Sequence, residues 1–178
     1  MAIPRGLSEL AIYPITGVST LGAGVLLTGP RSFNFNIDSS TDELEGGNVV
    51  IASAPGPRSL SGAIELGDIA LPVLGILFGG TVAVTGTAPN TVEDHTQSND
   101  TTPRYFRIIG QAPDTNIAGG AYRATVLKAQ ATAGLDETME TNSWNTPTIN
   151  IQGSALSGAL VKRQVYAVMS ALTTTAPA

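Results

Sequence analysis

Cysteine is absent from this sequence, and histidine occurs once, at His95. The first absence excludes disulfide scaffolds, thiol nucleophiles and cysteine–zinc sites, and it leaves the redox compartment open. The second excludes multi-histidine metal centres. Charge is scarce as well: Asp, Glu, Lys and Arg make up 13% of the chain, about half the usual share of a soluble domain. Nine basic residues against fourteen acidic ones give a formal net charge of −5. That balance argues against tight, sequence-independent binding of nucleic acid. No uninterrupted apolar run is long enough to cross a membrane. The uncharged stretch from Ile69 to Val92 is broken by Pro72, Gly75, Gly79, Gly80 and Gly86, and it reads as a short helix followed by a strand. Pro4, Arg5 and Glu9 interrupt the N-terminal segment, so no secretory signal is visible.

What is present is a chain of 178 residues, 42% hydrophobic, with 20 Gly and 11 Pro. Its length fits a single domain, 1–178, with a core of its own. Low charge with abundant small residues suits a surface partly covered by other subunits; a weakly charged monomer is the alternative.

Alternation dominates the pattern. Phe33, Phe35 and Ile37 share one face of "SFNFNID", and Ser32, Asn34, Asn36 and Asp38 share the other. Period two marks a half-buried strand. The segments "SLSGAIEL" and "TINIQG" repeat it. Further strands are predicted in "SELAIYPI", "NVVIASA", "TVAVTGT", "RYFRII", "AYRATVLKAQATA" and "VKRQVYAVMSAL". Turn chemistry separates them, in "GVSTLGAG", "EGGN", "APGPR", "TAPN", "QAPDTN" and "AGG". The predicted fold class is mainly β: an antiparallel barrel or sandwich with one short flanking α-helix.

That helix is expected over about Asp68 to Phe78. Asp68 can cap it and Gly79-Gly80 can end it, but Pro72 suits only a first turn, so the start belongs near Leu71. Ile69, Leu71, Val73, Leu74, Ile76, Leu77 and Phe78 make it apolar all round. A helix on one sheet needs a single apolar stripe. Its second face therefore needs cover, from the rest of the domain or from a neighbouring subunit.

Two polar stretches interrupt the strands. "DSSTDELEGGN" carries Asp38, Asp42, Glu43 and Glu45, and reads as a flexible loop over about 38–48. "NTVEDHTQSNDTTP" carries Glu93, Asp94, His95 and Asp100, and reads as a solvated loop. A His beside carboxylates can act as a base or cation ligand, but consecutive residues in a loop are not spaced as ligands. The first stretch lacks calcium-loop spacing. Asp136, Glu137 and Glu140 offer paired carboxylates, and nothing visible raises their pKa. Phosphate-binding, dinucleotide and nucleophile-elbow motifs are missing. Arg104, Arg107 and Arg123 lie beside Tyr105, Phe106 and Tyr122. They can form a basic–aromatic patch, or salt bridges between strands or subunits. These observations predict no catalytic residue, no metal site and no cofactor. The last residues, about 173–178, read as a frayed end.

The order of these features resembles the tail tube protein (major tail protein) family of long-tailed bacteriophages. The resemblance rests on "SFNFNIDSSTDELEGGNVVIASAPGPR", on "SLSGAIELGDIALPVLGILFGGTV", on the acidic hairpin "RATVLKAQATAGLDETMETNSWNTPTINIQGSAL", and on the terminal "VKRQVYAVMSAL". It is a match of pattern over most of the chain. It implies a non-enzymatic subunit whose six-membered rings stack into a tube that DNA traverses without tight binding. Tail-tip and terminator proteins would be partners at the tube ends, and the place of the protein would be the virion tail, assembled in the host cytoplasm without membrane insertion. The apolar helix then becomes a subunit interface. Asp38, Asp42, Glu43, Glu45, Gly46 and Gly47 become a ring-stacking loop, and Asp136, Glu137 and Glu140 become lumen-facing charge. A six-membered ring would carry roughly −30 formal charges, a sign that repels phosphates. A tube subunit of a contractile injection or secretion system has the same pattern. A monomeric carbohydrate-binding sandwich is the reading from another class, with Trp144 as its one candidate platform.

Overall fold

A computed structural model describes residues 4–18, 20–27, 29–46, 49–67, 70–98, 100–132, 141 and 147–175. The alternating segments become strands β1 (Glu9–Pro14), β2 (Val25–Leu27), β3 (Ser32–Gly46), β4 (Val49–Glu65), β5 (Thr81–Thr85), β6 (Val92–Thr96), β7 (Phe106–Pro113), β8 (Ala121–Ala131), β9 (Thr148–Gly153) and β10 (Val161–Tyr166). The helix is α1 (Leu71–Leu77). The protein is mainly β, antiparallel in every pairing, with one short helix among the described residues. No helix among them is long and apolar enough to cross a membrane.

The main sheet runs β2-β1-β7-β8-β9-β4-β3, and β10 pairs with β8 beside β9. β5 and β6 form a separate two-stranded sheet. The main sheet folds over on itself in the manner of a sandwich. Phe33 on β3 lies against Gly110 on β7, where an added Cβ would meet the ring at 2.7 Å. Strand alternation fills the space between the layers. Leu10 and Ile12 from β1, Ile108 from β7, Val126 from β8, Leu60 and Ile64 from β4, and Ile149 and Ile151 from β9 are all buried in one core.

β1 and β7 are buried on both faces, which explains why "ELAIYP" and "FRII" alternate poorly. Their second face carries Ala11, Tyr13 and Ile109, covered by Leu172 from the C-terminal segment. That segment is held by specific bonds up to Thr174 and is not the frayed end expected from Thr173 onward. Tyr13 donates its hydroxyl to the Thr173 carbonyl at 2.6 Å, and the Gly24 amide donates to the Thr174 carbonyl at 2.7 Å. Residues 176–178 lie outside the described residues.

α1 starts at Leu71, with Pro72 in its first turn and Ala70 as a cap that makes no side-chain bond. Asp68, the expected cap, lies outside the described residues. Gly79 and Gly80 take φ values of +76° and +90°, a conformation that side chains resist and that ends the helix. The cover that its apolar surface requires comes largely from the same chain. Val73, Leu74, Leu77 and Phe78 are buried in the main core, and Leu71 and Ile76 pack against it partly buried.

Three further expectations differ from the structure. The polar stretch predicted as a loop over 38–48 is strand through Gly46, paired with β4 in register Asp38↔Ser59, Glu43↔Ser53 and Gly46↔Val49. The "APGPR" turn is absorbed into β4, which runs unbroken as a 17-residue strand. Glu93, Asp94 and His95 are in β6, not in a loop, paired with Val84, Ala83 and Val82.

Candidate functional site

The feature that sets this fold apart is the β3–β4 hairpin. Its root, Ser32–Ile37 against Leu60–Glu65, belongs to the main sheet, because β9 pairs with β4 from Leu60 to Glu65. Beyond Leu60 no described strand joins it. The arm then runs from Asp38 to Gly46 and back from Val49 to Ser59 as a two-stranded ribbon. Nine residues at strand rise make it roughly 30 Å long. Asp38, Ser39, Ser40, Thr41 and Glu43 are exposed, as is each residue from Ile51 to Ser59 except Gly56. Ile51 is 67% exposed.

Local chemistry explains how the arm tolerates two prolines. Pro55 and Pro57 lie where β4 has no second neighbour, so their missing N–H groups break no ladder on that side. The register shifts between Ser39 and Thr41, and the Ser40 hydroxyl donates to the Pro57 carbonyl at 3.3 Å. Gly56 sits against Ser40 at this bulge, too close for a Cβ.

A second feature is a polar clasp holding the C-terminal segment. Gln111 is fully buried. Its Nε2 donates to Glu9 Oε2 at 3.3 Å and to the Ser170 carbonyl at 3.1 Å. Arg123 donates to Gln111 Oε1 through Nε, and to the Ser170 carbonyl at 2.7 Å and hydroxyl at 3.0 Å. The Leu172 amide donates to Glu9 Oε2 at 2.7 Å. Each buried polar atom named here has a partner, so the network fixes the segment without stranding a charge.

Beside the clasp, the same sheet face opens into a recess of about 250 Å³. Arg107, Arg123, Lys162, Thr125, Gln164 and Tyr166 line it, with Ile109 and Leu127. Arg123 stacks on the Tyr166 ring, 4.5 Å from its centroid. Arg107 Nε is buried with no hydrogen-bond partner among the described residues, and burial lowers the pKa of its guanidinium from the usual value.

The other residues singled out in the sequence are dispersed. His95 donates from Nε2 to the Gly79 carbonyl at 2.8 Å, since a carbonyl only accepts; this ties β6 to the helix exit. Among the described residues no group of three or more His, Asp or Glu is placed to hold a metal ion. The basic–aromatic cluster does not form as one patch. Phe106 is in the core, Arg107 and Arg123 line the recess, and Tyr105 lies under Lys128, 4.0 Å from Nζ to the ring centroid. Ile69, Gly47, Asp136, Glu137, Glu140 and Trp144 lie outside the described residues, and Asp42, Glu45 and Gly46 are described by backbone alone.

Sequence reasoning missed the recess and the clasp. Their residues come from distant strands, and two of the six clasp bonds end on the Ser170 backbone carbonyl, which leaves no trace in residue identity. No protein-family model matches the chain, and a search of curated proteins finds no match to it.

Proposed function

We infer that the chain is a structural subunit that assembles with copies of itself into rings stacked as a hollow tube, in the manner of a bacteriophage tail tube. The observation that carries this reading is the arm. An isolated two-stranded ribbon is marginally stable in water, and this one exposes both of its edges and Ile51. A long exposed ribbon is an aggregation hazard on a monomer and a joining device in an assembly. The arm also contains most of the residues assigned to ring stacking: Asp38, Asp42, Glu43, Glu45 and Gly46.

The rest of the reading rests on the resemblance in pattern to the tail tube family. The subunit performs no chemistry; it builds a conduit. DNA is its cargo, the virion tail its place, and proteins of the tail tip and terminus its end partners. Leu71 and Ile76, the partly buried side chains of α1, are what the helix offers to a neighbour. The net charge of −5 per subunit disfavours adhesion of phosphates passing through.

The test is negative-stain electron microscopy of the purified chain at high concentration, beside a solution mass measurement. Hollow rings or tubes are expected. A strictly monomeric species at every concentration and salt condition would overturn the reading.

A further inference from the structure

We propose that the recess between β7, β8 and β10 receives the acidic arm of a second copy of this chain. The partner is fixed by charge. Three cations, Arg107, Arg123 and Lys162, line the recess, and no acidic side chain does so among the described residues. The arm from Asp38 to Ser59 carries Asp38, Asp42, Glu43 and Glu45 against the single cation Arg58. Arg31 pairs with Glu65 at 3.7 Å, away from the recess, and the lining of the recess offers its three cations no described carboxylate.

Arg107 supplies a second, independent observation. Its guanidinium lines the recess while its Nε is buried without a described acceptor, and a carboxylate placed in the recess pairs with that charge. At about 250 Å³ the recess suits one or two acidic side chains and not a folded domain. Its apolar walls, Ile109 and Leu127, complement Ile51, which the arm leaves 67% exposed.

The arm of the same chain is not the occupant. Side chains alternate along β10, so Lys162, Gln164 and Tyr166 face the recess while Arg163 faces the other way. Arg163 lies over Phe35 at the root of the arm, 5.6 Å from the ring centroid, and shares a cleft with Ile37, Pro57 and Arg58. The arm therefore leaves from one face of β10 and the recess opens on the opposite face. An arm on one side and a receptor on the other permit a heterologous contact, which propagates into rings or open stacks.

This inference rests on the reading that copies assemble, and names which surfaces meet. The test is charge exchange, read by light scattering and electron microscopy. An arm variant, Asp42→Lys with Glu43→Lys, and a recess variant, Arg107→Glu with Lys162→Glu, are each expected to raise the critical concentration for assembly about tenfold or more. Mixed in equal amounts, the two are expected to co-assemble, because each supplies the charge the other lacks. Lys162 is exposed, so Lys162→Glu alone keeps the test valid where the double recess variant does not fold. Tubes that form from both recess variants at the wild-type concentration would overturn this contact and leave the tube reading standing. Arm and recess variants that both fail to assemble, alone and when mixed, would overturn the pairing. A wild-type chain that never assembles would overturn both inferences.

Discussion

The phenol of Tyr13 donates to the carbonyl of Thr173 at 2.6 Å, joining β1 to a segment 160 residues later in the chain. That bond and the Gln111–Arg123 clasp close the second face of the sheet, where Ala11, Tyr13 and Ile109 meet Leu172. Replacing Tyr13 by Phe keeps the ring and removes the bond. The expected cost is about 1 kcal/mol in urea unfolding at neutral pH. Burial raises the Tyr13 pKa above 10.0, against a smaller opposing pull from Arg123. The folded state therefore holds the phenolic proton after the unfolded chain has lost it. Stability from this group is complete below pH 10 and falls as pH rises through the folded pKa. Tyr13→Phe should flatten that alkaline decline. An equally steep decline in the variant would assign it to other groups.

Phe33 and Gly110 face each other closely across the two layers. A methyl group added at Gly110 meets the ring at 2.7 Å and Leu10 at 3.6 Å, so the Phe33 ring must shift to admit it. Gly110→Ala is expected to destabilise by about 1–3 kcal/mol. Combining it with Phe33→Leu should cost less than the sum of the two, with a coupling above about 0.5 kcal/mol. Additive costs would mean that the layers do not meet at this pair.

Much of this fold is legible in the sequence wherever one face is wet and one is dry. Phe33, Phe35 and Ile37 announce β3, and Ile149 and Ile151 announce β9, because burial on one side imposes period two. The signal fails where burial is not one-sided. β1 and β7 are covered on both faces, and the arm's Asp38–Thr41 and Glu43 are exposed without alternation, so "DSSTDELEGG" reads as a loop although it is strand to Gly46. Pro55 and Pro57 read as a turn because a sequence does not show that β4 lacks a second neighbour there. β2 spans three residues, too few to display any period, and β6 hides its pairing behind Glu93, Asp94 and His95. The acidic arm was visible as composition. Its receptor was not, since Arg107, Arg123 and Lys162 meet only through strand pairing.

The helix separates folding from assembly. Leu74 is 5% exposed inside its own chain. Leu74→Asp buries an unpaired charge and discards a core side chain, so its cost should exceed about 3 kcal/mol. Loss of assembly in that variant would report on the fold, not on a subunit contact. Ile76 is only partly buried, and Ile76→Ser is the informative substitution. It should leave a cooperative melt while weakening assembly. Full assembly with normal folding would remove α1 from the list of subunit contacts.

The arm gives the sharpest separation. Asp38 pairs with Ser59, so the two strands can be closed at that point by a short Asn-Gly turn in place of residues 39–58. The deletion removes no described member of the main core, which takes β3 only from Phe33 to Ile37 and β4 only at Leu60 and Ile64. It also removes the exposed Ile51 and most of the acidic charge of the arm. The shortened chain should therefore melt within about 1 kcal/mol of the parent, as expected for a change outside the core. It should remain a monomer at concentrations where the parent forms rings or tubes. A shortened chain that unfolds would make the ribbon part of the fold's own stability. One that assembles normally would leave the open edges of β2, β10 and the root of β3 as the surfaces through which copies join.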